Sequence, residues 1–174
     1  MAEIPNGYAF SKDEFPRVLL MKFFPERTDK ESVILLAYLA SHIQEFDRLT
    51  FSRRVGQGLP PDPTHLPGVQ ANTVFSSKQR IDLLAWSGTQ PTIVEVKERV
   101  RPSALGQILS YRQLLLEEFP NAPEPRLVVA GLYSDEDTIR VLQAHGVDVY
   151  LYPPAETTGL DRQVGVRPDD VPAP

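Results

Sequence analysis

Between Arg80 and Tyr111 the backbone has few options. The run RIDLLAWSGTQPTIVEVKERVRPSALGQILSY holds two short β-like stretches, one carrying Asp82 near its start and one spanning Pro91 to Lys97, separated by Ser87-Gly88-Thr89-Gln90. Turn-forming residues between two such stretches predict an antiparallel hairpin, which folds Asp82 back towards Glu95. Alternation along the second strand sets Val94 and Val96 on one face and Ile93, Glu95 and Lys97 on the other.

That second face carries carboxylate and ammonium together. Two carboxylates converging from neighbouring strands form an oxygen-rich site suited to Mg²⁺ or Mn²⁺, hard cations that keep several of their waters. A bound metal acidifies its water, and Lys97 beside it would stabilise the hydroxide and the charge that develops on an attacked phosphate. The bland alternative is a solvated strand face on which Glu95 and Lys97 are neighbours worth little energy. The helical pattern that follows carries Gln107 and Tyr111, four residues apart and therefore on one face. Without the strands upstream, an ordinary polar edge of an amphipathic helix would be the better account of both.

The ordered set Asp82, Glu95-Val96-Lys97 and Gln107-x-x-x-Tyr111 resembles the PD-(D/E)XK nuclease superfamily, and its last element is similar to the Q-x-x-x-Y motif of RecB-like nucleases. The wording R-I-D-L-L, E-V-K and Q-I-L-S-Y is also similar to the catalytic domain of NucS-type mismatch endonucleases. This resemblance implies a restriction-endonuclease-like α/β fold, a mixed central β-sheet flanked by helices. It also implies that Asp82 and Glu95 bind Mg²⁺ or Mn²⁺, that Lys97 assists the attacking water, and that Gln107 and Tyr111 hold the site or the nucleic acid. Ile81 stands where the motif nominally has proline, while every charged position is kept. Nucleases of this superfamily often carry a further glutamate on the first helix. Glu31 is the positional candidate, with Glu45 behind it, for a water-mediated metal contact.

With 174 residues the chain is long enough for one substantial core. The expected organisation is a single domain over 1–152, with an ambiguous N-terminal segment and a long loop near 55–73, followed by a Pro-rich mobile tail over 153–174. The absence of cysteine excludes disulfides and cysteine-based zinc sites, and His42, His65 and His145 are too scattered for a histidine cluster. No long apolar span or cleavable signal pattern opens the sequence, so a cytoplasmic protein without membrane association is expected. The formal net charge of −5 argues against a generally basic nucleic-acid coat. Yet residues 47–112 hold nine Lys or Arg against five acids, a local +4 that leaves −9 for the remainder. Positive charge gathers where the candidate site lies, as a phosphate-binding groove requires, and Arg53, Arg54, Arg80, Arg99 and Arg101 are the candidate nucleic-acid contacts.

Elsewhere, Arg17 to Phe24 reads as a strand ended by Pro25. Thr28-Asp29-Lys30-Glu31 is a capping box ahead of a buried helix over Ser32 to Phe46, which explains Glu31 as well as a metal role does. Leu59-Pro60-Pro61-Asp62-Pro63 cannot continue a helix or a central strand. A long, substrate-contacting loop is therefore expected, with Arg53 and Arg54 on a strand before it and Val74 to Lys78 leading directly into the Asp82 strand. Ser103 to Phe119 is predicted as a helix with the apolar stripe Leu105, Ile108, Leu109, Leu115, Leu116 and Phe119. Arg112 falls inside that stripe and must either snorkel outward or find an acidic partner. Arg126 to Leu132, a helix capped at Ser134-Asp135-Glu136-Asp137 and ending near Gly146, and Val147 to Tyr152 form a β-α-β unit with parallel strands.

The leading functional expectation is a Mg²⁺- or Mn²⁺-dependent endo- or exonuclease acting on DNA, with RNA and a homodimer left open. The alternative is a non-catalytic nucleic-acid-binding or assembly module that keeps the nuclease fold. A third reading is an α/β interaction protein whose polar strand face is merely solvated. Stabilisation by metal separates the first two from the third. Under the enzyme reading, Lys97→Ala is expected to abolish activity and leave the fold and its stability almost unchanged.

Overall fold

A computed structural model describes residues 6–154. Its six strands form one sheet in chain order: β1 Tyr8–Ser11, β2 Arg48–Val55, β3 Gln79–Ser87, β4 Gln90–Arg99, β5 Arg126–Tyr133 and β6 Val147–Leu151. The first four strands pair antiparallel, and β4, β5 and β6 pair parallel. Around the sheet lie α1 Phe15–Val18, α2 Asp29–His42, α3 Pro67–Ser77, α4 Ser103–Glu118 and α5 Glu136–Ala144. The expected mixed sheet with flanking helices is present.

Two apolar layers cover the sheet, and alternation decides which residue enters which. Val94 and Val96 pack with Leu83, Ala85 and the inward side of α2, namely Ile34, Leu35, Tyr38 and Leu39. Ile93 packs on the opposite face with Leu84, Val129, Ile108 and Leu115 of α4, and Leu142 of α5. The β3–β4 connection is tight, with Ser87 paired to Gln90 and Gly88 at φ 58°, a left-handed conformation that glycine adopts without steric cost. Helices α4 and α5 carry the chain between parallel strands. Asp135 caps α5 by accepting the Thr138 N–H at 2.8 Å, and Gly146 at φ 74° follows its end. Both hydrogen bonds of the Thr28–Glu31 capping box are formed at the start of α2.

Three local expectations are corrected. Arg17 to Phe24 is not a strand: Phe15–Val18 is a short helix that continues into turns. Ser11 and Glu14 form a capping box just ahead of it, Pro16 occupies its first turn, and Phe15, Val18 and Phe24 insert into the α2-side core. Pro67–Ser77 is helical, so the irregular connection is limited to residues 56–66, and Val74 to Ser77 end a helix rather than lead into β3. Pro67 costs this helix nothing at its first position, and α3 buries no residue of its own. Arg112 resolves its conflict by pairing with Glu124. The expected mobile tail lies, apart from Pro153 and Pro154, outside the described residues.

Candidate active site

The β3–β4 ladder runs from the turn to Leu83 and Val94 and stops there. The next opposed pair would be Asp82 and Glu95. On the other side of β3, Ser52 faces Asp82 in an unbroken register, but at φ 54° it forms no ladder pair between the pairs Phe51 to Leu83 and Arg53 to Ile81. Asp82 is thereby released from both neighbouring strands, and its side chain takes over part of the lost pairing: Oδ2 accepts the Val96 N–H at 2.8 Å. Ile81 packs in the cluster of Leu84 instead of that of Leu83 and Ala85, so the regular alternation of β3 breaks at Asp82.

Glu95 is 1% exposed and Asp82 5%. The Lys97 ammonium lies 2.5 Å from Glu95 Oε1, while Glu95 Oε2 is buried with no hydrogen-bond partner among the described residues. Burial pushes the Glu95 pKa up to about 7, with the Asp82 charge adding to the effect and Lys97 opposing it. Asp82 is also raised by burial, against the pull of Arg27 and of the Val96 N–H. The two carboxylates thus share a poorly solvated space. A divalent cation would relieve their repulsion and give the unpartnered Glu95 oxygen a ligand, so the donor set fits Mg²⁺ or Mn²⁺.

Tyr111 projects from α4 into this space. It is 5% exposed, and burial together with the Glu95 and Asp82 charges raises its pKa, keeping the phenol protonated as a hydrogen-bond donor. Gln107 shares the helix face but is exposed, on the rim of a shallow depression with Gln79, Ser103, Gly106 and Ser110. Glu31 does not join the carboxylates, because its side chain accepts the Thr28 N–H at 3.0 Å in the capping box. Glu45 is engaged by His42 and Arg126. Asp82 and Glu95 therefore stand as a pair, and among the described residues no group of three or more His, Asp or Glu could hold a metal.

The nearest cation to Asp82 is one that the sequence motif does not contain. Arg27 Nη2 approaches Asp82 Oδ1 at 2.5 Å, and its side chain is only 2% exposed. It arrives from the turn before α2, where Phe24 N–H donates to Ser32 Oγ at 3.1 Å and Ser52 Oγ donates to the Pro25 carbonyl at 2.9 Å. The same Ser52 whose twist frees Asp82 thus anchors the turn that delivers Arg27. A lone basic residue directly ahead of the capping box was the available sequence signal.

The basic candidates divide in two. Arg53 is bound to Glu118 at 2.8 Å, and Arg54 and Arg80 both reach Glu26 Oε2, at 3.0 and 2.6 Å. Arg99 and Arg101, beyond Lys97, are exposed and form no ion pair among the described residues.

No protein-family description matches the sequence, and no curated protein matches it either. Two solved structures are similar to it. One is a repair endonuclease from Pyrococcus abyssi, 16% identical with a TM-score of 0.43, the match covering 76% of this chain and 50% of that one. The other is EndoMS in complex with double-stranded DNA, 14% identical with a TM-score of 0.41, covering 78% of this chain and 50% of that one. The chain spans about half the length of each.

Proposed function

We propose that the chain is a metal-dependent phosphodiesterase acting on DNA. The observation that carries this reading is the buried Asp82–Glu95 pair at the break in the β3–β4 ladder, with one carboxylate oxygen left without a partner and a lysine ammonium alongside. Asp82 and Glu95 would hold Mg²⁺ or Mn²⁺, which when bound supplies an acidified water and charge neutralisation at phosphate. Lys97, partly exposed beside Glu95, faces both the carboxylates and solvent, and is placed to orient an entering water and to stabilise charge on a phosphate oxygen. Protonated Tyr111 lies near the Glu95 and Asp82 carboxylates and is placed to orient them, while exposed Gln107 would contact substrate at the rim. Arg99 and Arg101, exposed and without an ion pair among the described residues, offer charge for the nucleic-acid backbone.

The test is cleavage of single-stranded, duplex, flap and mismatched DNA with Mg²⁺ or Mn²⁺, using purified chain and Asp82→Ala. Cleavage that requires metal and is lost in Asp82→Ala and in Lys97→Ala supports the proposal. Equal cleavage by unaltered chain and Lys97→Ala removes Lys97 from it. The alternative, a DNA-binding module without catalysis, predicts metal-stimulated thermal stability and DNA binding with no cleavage of any substrate.

A further inference from the structure

Two adjacent residues of one turn occupy the positions that metal and substrate would need. Glu26 Oε2 sits between the Arg54 and Arg80 guanidinium groups, at 3.0 and 2.6 Å, as a phosphate oxygen would. Arg27 sits against Asp82 Oδ1, where a cation would. Glu26 holds φ 57°, a left-handed conformation uncommon for a residue with a side chain, and this bend sends the two side chains of opposite charge to different partners.

The Arg27 contact is close but poorly formed. Its Nε and Nη2 are buried without a hydrogen-bond partner among the described residues, so charge rather than hydrogen-bond geometry holds it against Asp82. Glu26 is 38% exposed at its side chain and Arg80 34%, so solvent and competing anions reach this pair. A buried cation without hydrogen-bond geometry on one side, and an accessible carboxylate on the other, describe contacts that ligands of matching charge can replace, since a metal at Asp82 would compensate the charge that Arg27 leaves.

We propose that the Pro25–Glu26–Arg27 turn is a self-occupying plug. Glu26 stands in for a phosphate of the nucleic-acid backbone, and Arg27 stands in for the divalent cation. A phosphate arriving at Arg54 and Arg80 displaces Glu26, loosens the turn and withdraws Arg27 from Asp82, which couples nucleic-acid binding to metal loading. By reciprocity, metal binding favours the state in which Arg54 and Arg80 are free for phosphate. This inference rests on the metal reading of Asp82 and Glu95.

Mn²⁺ titration calorimetry at mildly alkaline pH tests the cation half. Arg27→Gln should bind Mn²⁺ about tenfold more tightly than unaltered chain, the effect of removing one neighbouring like charge. Equal affinity in folded Arg27→Gln overturns the plug and leaves the metal reading standing. Failure of both chains to bind Mn²⁺ overturns both. Because Arg27→Gln strips Asp82 of its buried partner and can compromise folding, limited trypsin digestion of unaltered chain gives a second measurement. Mn²⁺ should speed cleavage after Arg27 relative to EDTA, and unchanged or slower cleavage there overturns the proposal. For the phosphate half, Glu26→Gln in EDTA should bind a short DNA duplex more tightly than unaltered chain. Its salt dependence should steepen by about one to two phosphate contacts. The same affinity and slope in both chains overturns the phosphate role.

Discussion

Glu95 ties the site to pH through a shift whose sign is fixed. Its folded pKa, raised to about 7, lies above that of an unfolded glutamate. From about pH 4.5 to about pH 7 the folded chain therefore holds a proton that the unfolded chain has released, and stability falls as pH rises through that window. In EDTA, urea unfolding at stepped pH should show this decline through that window. Glu95→Gln should remove the Glu95 share, roughly 3 kcal/mol, leaving the same-signed share of Asp82. Identical pH slopes in the two chains would contradict the burial argument. Lys97→Ala belongs to the same account. Lys97 covers a carboxylate that is 1% exposed, so the sequence expectation of unchanged stability gives way to a loss that is larger at alkaline than at acidic pH. The approach of Asp82, Glu95 and Lys97 was legible in hairpin folding and strand alternation, and that of Tyr111 in the family resemblance. Arg27 was not, since its place depends on a left-handed bend at Glu26 and on a serine hydroxyl from β2.

Elements with strong local signals were read correctly, and elements whose signal was weak or lay outside the segment were not. The β3–β4 hairpin, the capped start of α2 and the two crossovers after β4 each carry a turn, a cap or an apolar run that points to one structure. The segment Arg17 to Phe24 is a short apolar run that fits strand or helix equally, and its decisive signal lay upstream in Ser11-Lys12-Asp13-Glu14. Helix α3 has no side-chain cap and buries nothing, so periodicity had no apolar face to reveal. At β5 the packing is close enough to give a sharp expectation. Gly131 pairs in register with Lys97, and a Cβ there would collide with the Val100 side chain and stand 2.9 Å from the Lys97 carbonyl oxygen. Gly131→Ala should destabilise the chain by roughly 1–3 kcal/mol in chemical denaturation, because overpacking here must push back β4 itself. No loss of stability would mean that β4 and β5 separate more easily than their register suggests.

For the molecule as a whole, the notable property of the sheet is that strand order equals chain order. No strand is inserted between two earlier ones, so β1 and β6 form the two rims and β3 and β4 the centre. The chain can open from either rim without disturbing the other. Amide hydrogen exchange should therefore be graded: fastest in Tyr8–Ser11 and Val147–Leu151, slowest in the amides of Leu83, Leu84 and Val94 at the centre. A uniform rate across all six strands would show instead that the sheet opens in one step. Val96 stands apart from this gradient. Its amide is central and buried, yet it is held by the Asp82 carboxylate and not by the backbone of the adjacent strand. Its exchange should accelerate in Asp82→Ala more than that of its neighbours, which makes one amide signal a gauge of the carboxylate beneath it.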